Sequence, residues 1–249
     1  MDAGELWSIG DYAVIGELWS EPGRVVAAAL GVEGRDVIDL ATGTGVTALE
    51  IARRNARSVV GVDASQKMLD EAADRARKEG LAVDWIQADF ASVPLPDGSA
   101  DIVVSTFGLM FAAEPGDAFA EARRLLRDDG RLVFTSWSAT GFFGLLFKVM
   151  AKYFPERPVP WHETPDGIRS VVGEGADAVE QDFELVIESP EWFVSRLEQF
   201  SAPFIVGIEA LGQRWGHVRS ELVAATTELT TPTEAGHVAE VRYLVTTVA

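Results

Sequence analysis

Short β-rich runs alternate with longer helical patterns through the first 137 residues, and this alternation constrains the fold more than any other feature. Strands that are joined by helices at this spacing run parallel, and the helices cover both faces of the sheet. The pattern predicts an α/β fold with a doubly wound, mostly parallel sheet. The strand runs are Asp36–Leu40, Ser58–Val62, Ala82–Gln87, Asp101–Thr106 and Arg131–Ser136, and the helical patterns are Val46–Asn55, Ser65–Glu79 and Asp117–Arg127.

The pattern changes after Ser136. Two late β-rich runs, Phe183–Glu188 and Val241–Val248, predict an antiparallel edge pair that brings the sheet to seven strands. The region from Thr140 to about Pro203 is helical and rich in aromatic residues. We expect it to cap the carboxyl end of the sheet around an apolar ligand, with core packing or a homodimer face as open alternatives. The chain of 249 residues is predicted to be a single domain, 1–249, with its core at 35–137 and the cap at 140–203.

Charge and cysteine content exclude several classes of function. Asp and Glu number 39 against 21 Lys and Arg, a net charge of −18, which makes nucleic acids and anionic membranes poor partners. The chain has no cysteine, so disulfides, thiolate metal sites and cysteine nucleophiles are ruled out. The acidic, glycine-broken amino terminus is unlike a signal peptide, and we expect a cytoplasmic protein. No cluster of His and carboxylates has metal-ligand spacing, so no metal site is predicted.

The loop after the first strand run predicts a ligand site. Gly43 and Gly45 allow close approach of the backbone, and the next helix directs its first amides at the loop. The spacing to Ala48 also satisfies the dinucleotide fingerprint. Asp39, however, would repel a pyrophosphate, whereas it suits the ammonium and sulfonium groups of S-adenosylmethionine. The alternative is that Asp39 only caps amides of its own loop.

Two further acidic positions follow later strands. Asp63 ends the second strand run, where a carboxylate can accept both hydroxyls of a ribose; the alternative is an N-cap for the helix near Ser65. We expect Asp63 to lie at an exposed strand end. Asp89 and Phe90 follow the third run, where they could contact the edge and face of an adenine, or be an ordinary loop aspartate and a core phenylalanine.

Several linked motifs together carry a family resemblance. They are VIDLATGTG from Val37, VVGVDAS from Val59, the segment Ile86–Phe111, and the helix and strand of Ala120–Trp137. In this order they resemble the class I S-adenosylmethionine-dependent methyltransferases, particularly the small-molecule group related to ubiquinone and menaquinone biosynthesis. The resemblance implies a Rossmann-like fold, S-adenosylmethionine as cofactor and S-adenosylhomocysteine as product. Ala41 departs from the family's pattern, which often has glycine there.

The resemblance also implies roles for individual positions. Asp39 and the loop glycines would line the methionine and ribose end, and Asp63 would bind the ribose hydroxyls. Ala64 and Met68 would flank the adenine, Asp89 and Phe90 would hold its edge and face, and Ser105 would face the methionine moiety. The complete set of predicted cofactor-binding residues is Asp39, Ala41, Thr42, Gly43, Thr44, Gly45, Asp63, Ala64, Met68, Ala88, Asp89, Phe90 and Ser105.

The predicted enzyme is therefore a methyltransferase that acts on an O or N atom of a small-molecule acceptor in secondary or cofactor metabolism. The segment Ser105–Gly108 lacks the Asp/Asn-Pro-Pro-aromatic motif of base-modifying methyltransferases, which again disfavours nucleic acid. Catalysis is expected to come mainly from proximity and orientation. No catalytic base is identified, although His162 is a candidate unless it is a surface histidine. An NAD-dependent oxidoreductase and a non-catalytic cofactor-binding module remain alternatives.

Overall fold

A computed structural model describes residues 3–154 and 160–249. Its sheet has the strand order β3-β2-β1-β4-β5-β8-β6, and a short strand β7 pairs with β8 beside this path. The first five strands pair in parallel, whereas β8 is antiparallel to both β5 and β6. This confirms the predicted fold class. The strands are β1 Asp36–Leu40, β2 Ser58–Asp63, β3 Asp84–Gln87, β4 Ala100–Thr106, β5 Leu126–Trp137, β6 Ala176–Ile187, β7 Thr231–Thr233 and β8 Gly236–Val248.

Helices connect these strands and also precede the first one. They are α1 Ala3–Trp7, α2 Tyr12–Ile15, α3 Glu21–Ala29, α4 Val46–Arg53, α5 Gln66–Glu79, α6 Pro115–Leu125, α7 Phe142–Ala151, α8 Pro165–Val172, α9 Pro190–Phe200, α10 Ala202–Leu211 and α11 Trp215–Glu228. Helix α5 begins after Ser65 and ends at Gly80, which has a left-handed φ of 66°. Both boundaries agree with the sequence signals for capping.

Strands β5, β6 and β8 each begin at least five residues before the β-rich run that the sequence indicates. Strand β5 begins at Leu126, and Gly130 therefore lies inside it and does not stop the preceding helix. A Cβ at Gly130 would lie 2.9 Å from the Cδ2 of Leu126 and 3.1 Å from the carbonyl oxygen of Asp101, so glycine relieves crowding where β5 approaches β4. The first half of β6 is mostly exposed and polar at the edge of the sheet, so it shows no buried alternation that would reveal a strand.

Apolar clusters lie on both faces of the sheet and beside its antiparallel end. Helices α3 and α4 pack on one face, where Val26 and Ile51 are buried with Val104. Helices α6 and α8 pack on the other face, where Phe119 is buried against Phe134. A third cluster joins α7, α9, α10 and α11 to β6 and β8.

The predicted aromatic cap falls largely within this third cluster. Phe142 and Phe193 are fully enclosed, at 2% and 0% exposure, and their ring centroids are 5.4 Å apart. The 140–203 region also contains β6, which is part of the sheet itself. Its residues 155–159 lie outside the described residues. The division of the chain into a 35–137 core and a 140–203 cap stays a prediction, but the buried rings described here serve as core.

Candidate cofactor site

Three carboxylates lie in a row at the carboxyl edge of the sheet. Asp89 follows β3, Asp63 is the last residue of β2, and Asp39 is the last residue but one of β1. These three strands are neighbours in the sheet in that order. All three line one open cleft. In doubly wound sheets, ligands bind outside the carboxyl ends of the strands, where the strand order reverses direction. That reversal falls between β1 and β4, beside this cleft.

The loop after β1 takes a sharp left-handed course. Ala41, Gly43 and Gly45 have φ values of 54°, 56° and 81°, in the region that favours glycine. Ala41 therefore carries backbone strain at the position where the resembled family often has glycine. The neighbouring Gly108 compensates sterically, because a Cβ there would lie 2.3 Å from the Cβ of Ala41.

Asp63 holds the loop to the adjacent strand. One carboxylate oxygen accepts a hydrogen bond from the Gly43 N–H at 2.8 Å, and the other accepts from the Ser65 N–H at 2.9 Å. The side chain is 8% exposed, and this burial raises its pKa. The expected exposed strand end was therefore wrong. Each carboxylate oxygen keeps a second lone pair, so the two structural bonds leave capacity for ligand hydroxyls.

Asp39 is the most enclosed acid of the row, with 1% of its surface exposed. The Thr42 hydroxyl donates to its Oδ2 at 2.6 Å, while its Oδ1 has no hydrogen-bond partner among the described residues. Burial raises the pKa of Asp39 to about 7, and the nearby Asp63 charge contributes in the same direction. An unsatisfied buried carboxylate oxygen beside a cleft is stabilised by a cation, which would bring the pKa back down. The site therefore fits the ammonium group of S-adenosylmethionine.

Most of the predicted cofactor-binding residues meet in this cleft. Those that line it are Asp39, Ala41, Thr42, Gly43, Thr44, Asp63, Ala64, Met68, Asp89 and Phe90. Gly45, Ala88 and Ser105 do not line it. Gly45 and Ala88 act on the loops, since the Gly45 N–H donates to the Thr42 carbonyl and the Ala88 N–H donates to the Asp63 carbonyl.

Ser105 requires a correction, because its side chain does not face the cleft. It is fully buried, and its hydroxyl donates to the Leu40 carbonyl at 2.7 Å and accepts from the Leu109 N–H at 3.2 Å. The residue thus fixes the turn after β4 against the end of β1. Thr106 and Phe107, which follow it, line the cleft instead.

Sequence reasoning missed a large part of the cleft lining. It is formed by residues of the amino-terminal segment and by the turn after β4, namely Ala3, Trp7, Tyr12, Gly16, Trp19, Ser20, Gly23, Thr106, Phe107, Gly108 and Phe111. Tryptophan and tyrosine are dense in the first twenty residues, and this was the available signal. None of the described aromatic residues of the 140–203 region lines the cleft.

His162 lies away from the cleft in a helical turn, Trp161–Glu163. It is 8% exposed, its Nδ1 has no hydrogen-bond partner among the described residues, and burial lowers its pKa to about 4. It is therefore a buried neutral histidine and not a surface one, and nothing places it beside the cofactor site. Across residues 3–154 and 160–249, no group of three His, Asp or Glu side chains could hold a metal ion, and no helix is long and apolar enough to cross a membrane.

Comparison with known proteins finds a methyltransferase domain and several methyltransferase relatives. A family model described as a methyltransferase domain matches residues 38–134. A demethylmenaquinone methyltransferase of Thermus thermophilus is 38% identical over 141 residues, which cover 55% of this chain and 62% of that enzyme. An uncharacterized protein of Mycobacterium tuberculosis is 33% identical over 152 residues, which cover 60% of this chain and 55% of that protein. The chain therefore spans less than two thirds of the length of these relatives.

Solved structures show the same fold over most of the chain. The YcgJ protein of Bacillus subtilis has a TM-score of 0.58 at 17% identity, and the match covers 91% of this chain and 97% of that one. The [4+2]-cyclase SpnF has a TM-score of 0.54 at 22% identity, covering 92% and 80%. At such identities the likeness concerns the fold alone, and the fold by itself does not determine the reaction.

The family match identifies residues 38–134 as a class I S-adenosylmethionine-dependent methyltransferase core. Within that class, the chain is similar to demethylmenaquinone methyltransferases over 141 and 126 residues. The predicted family, enzyme class and cofactor are thereby confirmed for residues 38–134.

The contact between Ala41 and Gly108 can be tested with a double-mutant cycle. Gly108→Ala should destabilise the protein by about 1–3 kcal/mol, because the new methyl group overlaps that of Ala41. Ala41→Gly should be close to neutral, since relief of the left-handed strain offsets the larger entropy of the unfolded chain. The double variant should recover part of the loss in urea unfolding. Strictly additive effects would contradict this coupling.

The two amide bonds of Asp63 predict a stability effect that a purely ligand-binding residue would not have. Asp63→Ala should lower the free energy of unfolding by about 2–4 kcal/mol without ligand, because two backbone donors lose their acceptor. Asp89→Ala is the control, since this exposed residue accepts only the Ala91 N–H. Urea titrations of both variants test this, and equal losses for the two would refute it.

Because His162 is buried and neutral, we predict that the free energy of unfolding falls as the pH is lowered. Its folded-state pKa of about 4 lies below the ordinary value of 6.5, so its contribution is complete above pH 6.5 and is lost as the pH falls toward 4. Between pH 7 and pH 5 the parent should lose about 2 kcal/mol more than His162→Gln. His217→Gln is the control, because that side chain is 77% exposed. Parallel pH profiles of parent and His162→Gln would contradict the prediction.

Proposed function

We propose that this chain transfers the methyl group of S-adenosylmethionine to an O or N atom of a small-molecule acceptor. The observation that carries the proposal is the row Asp39, Asp63 and Asp89 in one cleft, with the buried Oδ1 of Asp39 left without a partner. The comparisons support a methyltransferase domain at residues 38–134, and the relatives are matched over only part of their length. The proposal extends the methyltransferase activity to the whole chain.

In this proposal, different residues of the cleft bind different parts of the cofactor. Asp39 would pair with the ammonium group, and the lone pairs of Asp63 that remain free would accept the ribose hydroxyls. Met68 and Phe90 supply apolar contacts for the adenine, and the exposed Asp89 carboxylate can accept from its amino group. Gly45, Ala88 and Ser105 do not contact the cofactor in this proposal. They stabilise the loops through hydrogen bonds to the carbonyls of Thr42, Asp63 and Leu40, respectively. A pyrophosphate would meet three carboxylates here, which disfavours an NAD-dependent oxidoreductase.

The reaction requires little chemistry from the protein. When bound, S-adenosylmethionine supplies an electrophilic methyl group on a good leaving group. A lone pair of the acceptor forms the new bond, the sulfur keeps the electron pair of the broken bond, and the proton of the acceptor group leaves to solvent. No His, Lys or Arg is among the described residues that line the cleft, so positioning of the two reactants is the main contribution.

The partners and compartment follow the same reasoning. A small molecule suits the cleft, whereas the net charge of −18 disfavours nucleic acid and anionic membranes. The lack of cysteine fits a reducing compartment, and we keep the cytoplasm as part of the proposal. A homodimer stays a prediction, as does the role in secondary or cofactor metabolism.

Isothermal calorimetry with S-adenosylhomocysteine tests the cofactor assignment. Asp63→Asn keeps the shape of the side chain but removes its charge, so affinity should fall roughly 10- to 100-fold. Asp84→Asn is the matched control, because it makes the same charge change at the exposed start of β3. Binding of NAD in preference to the nucleoside would overturn the proposal. Nucleoside binding without turnover on any acceptor would favour a non-catalytic module.

A further inference from the structure

Asp39 is a buried carboxyl group with few partners in the cleft. Its side chain is 1% exposed, the Thr42 hydroxyl donates to Oδ2 at 2.6 Å, and Oδ1 has no hydrogen-bond partner among the described residues. The Ala48 amide, in the first turn of α4, also favours the charged form. Burial of an ionised carboxylate is costly unless a counter-charge and several hydrogen bonds offset it, so these two donors do not compensate fully.

The described groups around Asp39 supply no cation. Asp63, at the end of the neighbouring strand β2, is the charged side chain that acts on Asp39, and it opposes ionisation. Asp89 after β3 and Tyr12 in α2 are the other titratable groups that line the cleft. The residues that reach this region from the remaining elements are uncharged: Gly23 from α3, Val46 and Thr47 from α4, and Val104 from β4. The described lining therefore holds acids and no basic side chain.

Of the two neighbouring acids, Asp39 holds a proton more readily than Asp63. Asp63 accepts hydrogen bonds from the Gly43 and Ser65 amides, and both bonds favour its charged form. Burial raises the pKa of both carboxyl groups, and it raises that of Asp39 to about 7. In the free cleft the proton therefore lies on Asp39 at and below neutral pH.

An ammonium group on a ligand removes the cost of ionising Asp39. It brings the positive charge that the described lining lacks, so the carboxylate becomes the stable form and its proton leaves to solvent. One positive charge arrives as one proton departs, and the net charge of the buried site stays the same. Ligand binding and proton loss are then linked, and each favours the other by the same factor.

We infer that Asp39 is protonated in the free protein and releases this proton to solvent when the ammonium group of the cofactor binds, so that cofactor affinity rises with pH up to neutrality. This inference rests on the proposed function, because it takes the ligand to be S-adenosylmethionine or its product. Thr42 acts as a positioning residue, since its hydroxyl stabilises the charged form of Asp39 and so sets the pH at which the coupling ends.

The first test is calorimetry of S-adenosylhomocysteine binding to the full chain as a function of pH. Between about pH 5.5 and pH 7.5 the affinity should rise roughly 5- to 50-fold and then level off, because Asp39 has lost its proton at the upper end. At about pH 6.2, binding enthalpies in PIPES and ACES, which differ in ionisation enthalpy, give the number of protons released. We expect about 0.5 to 1 proton per ligand.

A second ligand separates Asp39 from Asp63. 5′-Methylthioadenosine is a nucleoside thioether of the same kind but has no amino acid group, so it would contact Asp63 through its ribose without placing an ammonium group at Asp39. Its affinity should change less than about twofold over the same pH range. A pH dependence shared by both nucleosides would assign the proton to Asp63 and overturn the inference.

Thr42→Val keeps the shape of the side chain but removes the hydroxyl that favours the charged form of Asp39. The pH at which the affinity levels off should move upward by about one unit. Thr47→Val is the matched control, because this buried hydroxyl lines the same cleft but pairs with the Thr106 hydroxyl. It should leave that pH unchanged.

Three results would overturn the inference: an affinity for S-adenosylhomocysteine that does not change with pH, equal enthalpies in the two buffers after correction for dilution, or an unchanged levelling pH in Thr42→Val. If that variant does not fold, the two measurements on the parent chain decide. Failure of the parent to bind S-adenosylhomocysteine at any pH would instead refute the proposed function.

Discussion

The bidentate grip of the Asp63 carboxylate on the Gly43 and Ser65 amides is the interaction on which the site depends. It links the loop after β1 to the turn after β2, so the two loops that would hold the cofactor share one anchor. Removal of an acceptor from buried amides leaves them unsatisfied, and neighbouring groups cannot easily replace it. The same side chain is therefore structural before any ligand binds. Burial of the neighbouring Asp39 raises the pKa of that second carboxyl group, and the nearby Asp63 charge adds a smaller contribution in the same direction.

The fold of the core could be predicted from the sequence because its strands are short, apolar and separated by helices with clear caps. Asp39, Asp63 and Asp89 were found for a related reason, since each lies at or just beyond the end of a strand whose position was evident. The length of β6 could not be predicted. Its polar first half pairs with β8 at the edge of the sheet, and that pairing depends on residues about sixty positions away.

The aromatic residues of the amino-terminal segment that line the cleft were missed for a different physical reason. Buried rings and ligand-contacting rings have the same composition, so the density of aromatic residues in 140–203 indicated apolar packing without saying what it covers. The structure places Phe142 and Phe193 in the core and Trp7 and Tyr12 at the cleft. The orientation of Ser105 was equally inaccessible, because it depends on contacts with Leu40 and Leu109.

The amino-terminal segment, residues 3–23, lines part of the cleft and contacts residues much later in the chain, which affects when it can fold during synthesis. Residues 3–23 leave the ribosome before several of their partners, because the Asp11 N–H donates to the carbonyl of Phe200, and Trp19 packs against Trp137 and Phe143. This segment therefore cannot complete its native contacts until Phe200 has been translated. Until then Trp19 lacks part of its docking surface, and the nascent chain exposes an apolar side chain that chaperones could recognise.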